Sequence, residues 1–81
     1  MKLPRDVSGH ELARALAQFG YRLTRRSGSH MRLTSTLKGA EHHVTIPAHE
    51  PLRIGTLSQI LSDVSSYLQR DRESLLKALF G

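Results

Sequence analysis

The 81 residues contain no cysteine. That excludes disulfides, thiol nucleophiles and cysteine-bearing zinc sites. The core must therefore come from packing alone, and 38% apolar residues allow only a modest one. Aromatic residues are scarce, two tyrosines and two phenylalanines. No apolar run approaches the ~20 residues of a membrane span. Met1–Val7 carries a proline and charges where a secretory signal needs an apolar stretch. The expectation is a single soluble domain over residues 1–81, in the cytoplasm and away from membranes.

Acidic residues are missing from one whole region, Leu12 to Ala40. The same stretch holds Arg14, Arg22, Arg25, Arg26, Arg32 and Lys38. From Glu41 to Gly81, five acids face four bases, so the net charge of +5 belongs to the first half. Such a field suits a polyanion, most simply nucleic acid. A solvated basic face, or one that meets an acidic protein, fits the same charges.

Ser8-Gly9-His10-Glu11 has the S-x-x-E form of a capping box. Leu12, Leu16 and Phe19 follow at helical spacing and Gly20 stops them, which predicts a helix over Gly9–Phe19. Tyr21–Arg26 and His30–Thr34 both alternate apolar and polar residues around Ser27-Gly28-Ser29, a hairpin pattern. Parity favours a three-residue loop of Arg26, Ser27 and Gly28, with Leu23 opposite Met31 and Tyr21 opposite Leu33. That register leaves Arg22, Thr24, His30 and Arg32 on the outer face. Glu41–Ile46 reads as a third strand ended by Pro47. In a meander, His43 joins His30 on the outer face, while His42 points the other way. Thr56-Leu57-Ser58-Gln59 reads as a second capping box, opening a helix through Leu57, Ile60, Leu61 and Val64. A last helix from Asp71 carries Leu75, Leu76, Leu79 and Phe80. The fold class is α+β: one three-stranded antiparallel sheet, helices on one face, the other face open and basic.

His30, beside the Gly28-Ser29 turn and among Arg22, Arg25, Arg26 and Arg32, is placed for proton transfer, since histidine's unperturbed pKa lies near neutrality. The arginines would hold a phosphodiester and stabilise charge developing on it. In RNA the 2′-hydroxyl is an internal nucleophile, so one base suffices, with no metal and no cofactor. A surface histidine among solvated arginines fits the same residues. The histidines lack metal-ligand spacing, the acids are dispersed, and the glycines stand singly. Tyr21 and both phenylalanines fall on core positions, leaving Tyr67 as the candidate exposed ring. Base stacking on an aromatic sheet is thus disfavoured against recognition of phosphate and shape.

Three stretches together resemble the HicA toxins of bacterial and archaeal toxin–antitoxin systems. They are Ser8–Tyr21; Arg25 with Gly28-Ser29-His30 (R-x-x-G-S-H); and His42–Pro47 with His49, Gly55-Thr56-Leu57 and Ile60-Leu61. The resemblance implies a fold like the double-stranded-RNA-binding domain, α-β-β-β-α, here with an extra C-terminal helix. It implies a metal-independent mRNA interferase whose catalytic histidine falls on His30, and a HicB-like antitoxin that covers the active site. On this reading His30 is the general base. Arg22, Arg25, Arg26 and Arg32 contact RNA, Gly28 and Ser29 shape the motif turn, and His43 is a candidate second proton-transfer group. His49, Gly55 and Thr56 are expected to be loop and cap residues. A non-catalytic RNA-binding module of the same fold is the alternative. The chain runs past the commonest short members, and its last helix is expected to complete the core.

Overall fold

The computed structural model describes residues 3–81; Met1 and Lys2, part of the stretch read as unlike a secretory signal, lie outside them. The first helix, α1, spans Gly9–Leu16 and tightens into a 3₁₀ turn over Ala17–Phe19. Its capping box forms as the sequence predicts. Glu11 N donates to Ser8 Oγ, and Ser8 N donates to the Glu11 carboxylate, each at 3.1 Å. The Ser8 backbone N–H donating to the carboxylate, with the Ser8 hydroxyl beside it, holds the Glu11 carboxyl below its ordinary pKa.

Three strands follow: β1 (Arg22–Ser27), β2 (His30–Ser35) and β3 (His42–Pro47). They form an antiparallel sheet in the order β1-β2-β3. Helices α2 (Ile54–Leu68) and α3 (Arg72–Phe80) complete the α-β-β-β-α order plus one further helix. The apolar positions of β2 and β3, Met31, Leu33, Val44 and Ile46, pack with Leu12 and Leu16 of α1 and Leu57, Leu61 and Val64 of α2. Leu75 and Leu76 of α3 are buried in the same core, with Leu79 and Phe80 packed against it. The last helix thus completes the core, as its stripe implies. Among the described residues, no helix is long and apolar enough to cross a membrane.

The hairpin departs from the predicted register. Ser27 pairs with His30, so the turn is the two-residue Gly28-Ser29. Gly28 has φ +57° and Ser29 does not share it, the pattern of a II′ hairpin turn. Leu23 faces Leu33 rather than Met31, because a bulge at Thr24 inserts one residue into β1. The bulge returns Leu23 to the helix side, as parity requires, by a route that parity alone does not reveal.

The second helix also starts earlier than T-x-x-Q predicts. It begins at Ile54 behind Arg53, with no side-chain cap. Gln59 instead hydrogen-bonds Asp63 one turn on, at 3.1 Å. Buried Leu52, whose N–H donates to Val7 O at 2.8 Å, anchors the chain just before the helix and sets its start.

Candidate functional site

The sheet's open face is read directly from strand pairing. Side chains alternate across a sheet, so cross-strand partners of one phase share a face. The first outward row is Ser27, His30 and Pro47. The second is Arg25, Arg32 and Thr45. The third is Arg22, Thr34 and His43, with the bulged Thr24 beside them. All are exposed except Thr34 and Pro47, which are half-buried.

His30 thus stands one step along β2 from Arg32, about 7 Å away along the strand. Arg32 lies directly opposite Arg25. Like charges placed opposite each other destabilise a sheet. Among the described residues neither arginine has a carboxylate within salt-bridge distance; the Glu41 carboxylate on this face lies 3.5 Å from His43 Nε2. An unneutralised arginine pair one step from an exposed imidazole has the chemistry to hold an anion beside a group able to move a proton.

Arg26 parts from the other arginines. It pairs with Met31 and so faces the helices, in a groove of about 550 Å³ shared with His10, Arg14 and Leu23. Leu23 remains 53% exposed there. The sequence placed Arg26 in the turn, where it would have been free to join the outer face. The bulge and the shifted turn put Arg25 there instead.

His43 shares the face but not the row. It is opposite Thr34, four residues up β2 from His30, or about 13 Å along the strand. The two imidazoles therefore do not flank one phosphodiester. His49 has been carried to the His30 end of the sheet. Ala48 N donates to Ser29 O at 2.6 Å, and His49 O accepts from Gly9 N at 3.0 Å. A Cβ on Gly9 would run into the Pro47 carbonyl, so the glycine permits α1 to dock beside the end of β3. Nothing in the sequence pattern revealed that contact.

Tyr67 is no exposed platform. Its ring stacks on His42, 4.7 Å between centroids and 9° between planes. Its hydroxyl meets Lys38 N and Ala40 O, fastening the β2–β3 connection to α2. Burial pushes the Tyr21 phenol above its ordinary pKa, so it stays protonated, and its hydroxyl shares a 2.7 Å hydrogen bond with His42 Nδ1. Burial also pushes the His42 pKa down. His42 is thus neutral and structural, on the helix side. Gly55 and Thr56 lie in the first turn of α2, apart from the His30 row.

Among the described residues no group of three or more His, Cys, Asp or Glu side chains is arranged to hold a metal ion. A family model described as HicA toxin of bacterial toxin-antitoxin matches residues 9–65, from α1 into α2. No curated protein and no solved structure matches the chain.

Proposed function

The chain belongs to the HicA toxin family, and we propose that it is the ribonuclease toxin of its toxin–antitoxin pair, cleaving mRNA without a metal and with His30 as general base. The observation that supports this best is the exposed His30 one step from the unneutralised Arg25–Arg32 pair. A phosphodiester laid on the two guanidiniums brings the neighbouring ribose to the His30 row. His30 takes the 2′-hydroxyl proton. The 2′-oxygen attacks phosphorus, the bond from phosphorus to the 5′-oxygen breaks, and the leaving oxygen takes a proton from solvent. The products are a 2′,3′-cyclic phosphate and a 5′-hydroxyl end. Arg25 and Arg32 stabilise the charge gathering on the phosphoryl oxygens, and Arg22 reaches the strand at the edge of the face. Gly28 and Ser29 hold His30 at the turn.

In this role all 81 residues act as one cytoplasmic domain. The family implies a HicB antitoxin as partner, and covering the His30 row would block RNA. The test is incubation of a long single-stranded RNA with the protein in excess EDTA. Fragments with 5′-hydroxyl ends are expected. Intact RNA that is nevertheless bound in a salt-sensitive manner would favour the non-catalytic module.

A further inference from the structure

The open face continues past the arginine pair, and its third row is built differently. Thr24 Oγ1 donates to the carbonyl of Arg32 at 3.3 Å. Thr24 Oγ1 also meets Thr34 Oγ1 at 2.8 Å, and Thr34 Oγ1 meets His43 Nδ1 at 2.7 Å. Three hydrogen bonds thus run from a backbone carbonyl to the imidazole and hold its orientation. Nε2 is left as the nitrogen free for a ligand, with the exposed Glu41 carboxylate 3.5 Å away as a displaceable partner. The His43 side chain is 39% exposed, and Arg22 stands across β2 from it with no carboxylate of its own among the described residues.

A threonine–threonine–histidine ladder can simply stabilise a sheet. This one also aims an oriented imidazole and a free guanidinium at the face that carries His30. Its distance from His30, about 13 Å, is too long for shared chemistry at one bond. It suits a strand running along the sheet, because stacked nucleotides advance about 3.4 Å each.

We propose that Arg22, Thr34 and His43 form a second ribonucleotide subsite, holding the RNA up to about four nucleotides from the bond that His30 attacks. The proposal rests on the nuclease reading above. Arg22 takes a phosphate. His43 Nε2 hydrogen-bonds a 2′-hydroxyl, a base edge or a phosphate oxygen in place of Glu41. His43 contacts the RNA and Thr34 positions it, and the reacting phosphate lies outside the reach of both.

The test compares kcat/KM of the full chain on a trinucleotide and on an octanucleotide. The wild type should favour the longer substrate by about tenfold, chiefly through KM, the worth of one hydrogen bond to a charged group. In His43→Ala and in Thr34→Val that preference should fall severalfold, and with Arg22→Ala added to either it should collapse to near unity. A ratio taken within one variant cancels any loss of folded protein. Wild type cleaving both lengths equally, or either variant keeping the preference, overturns the subsite while leaving the nuclease reading intact. Wild type cleaving no RNA overturns that reading and the subsite with it.

Discussion

Replacing Arg25 with threonine should make the protein more stable and a poorer RNA binder. Arg25 and Arg32 are direct cross-strand partners without a neutralising carboxylate among the described residues. Relief of such a like-charge pair is worth about 0.2–1 kcal/mol. In a domain of this size, each kcal/mol moves Tm by about 4–8 °C, so Arg25→Thr should melt about 1–8 °C higher at low salt. Arg25→Lys keeps the charge and serves as the control that should gain little. Added salt should shrink the gain, since the pair is exposed. If Arg22, Arg25 and Arg32 each neutralise one phosphate, log K against log salt should slope at about −2, with about −0.7 from each contact. Raising salt fourfold then weakens wild-type binding about twentyfold, but Arg25→Thr only about sevenfold. Melting curves by circular dichroism and salt titrations of a labelled single-stranded RNA read both effects. A variant no more stable than the lysine control, with an unchanged salt slope, would refute the arginine pair as the anion site.

Three further perturbations test the frame that carries the site. Gly9→Ala forces a Cβ against the Pro47 carbonyl; the cost should be about 1–3 kcal/mol in denaturant melts, with cleavage falling because Pro47 pairs with His30. Leu75→Ala empties a fully buried position in α3 and should cost about 2–5 kcal/mol by the same melts; a cost below that range would mean the last helix is not part of the core. Burial holds the His42 pKa below its ordinary 6.5, so as pH falls the unfolded chain takes up that proton first. Stability attached to His42 is therefore full above about pH 6.5 and declines as pH drops toward the lower folded-state value. His42→Gln can still hydrogen-bond the Tyr21 hydroxyl and should flatten Tm between about pH 8 and 5; an unchanged slope would assign the decline elsewhere.

Much of this architecture is legible in the residues. Ser8 and Glu11 announce α1, the two alternating runs announce the hairpin, and the leucines of α3 announce their own burial. What escapes the sequence is irregular. Parity rejects a two-residue turn at Ser27-Gly28, since it would set Leu23 against Arg32. It does not show that the turn can move to Gly28-Ser29 if β1 takes up a bulge at Thr24. That single extra residue decides which arginine stands beside His30, bringing Arg25 out and turning Arg26 toward the helices. The T-x-x-Q pattern misleads for a related reason: Leu52 anchors the chain through tertiary contact and starts α2 before Thr56. Tyr67 looked free because the β2–β3 connection it fastens is distant in sequence. Alternation along the third strand puts His43 on the open face, but its distance from His30 follows only from the pairing register.

The most direct test of the central claim sets wild type beside His30→Ala on the same single-stranded RNA, in EDTA, after their melting temperatures and RNA affinities have been compared. Cleavage is expected from wild type alone, with 5′-hydroxyl ends, while the variant still binds RNA with the wild-type salt slope. Cleavage by a folded His30→Ala at the wild-type rate would contradict it.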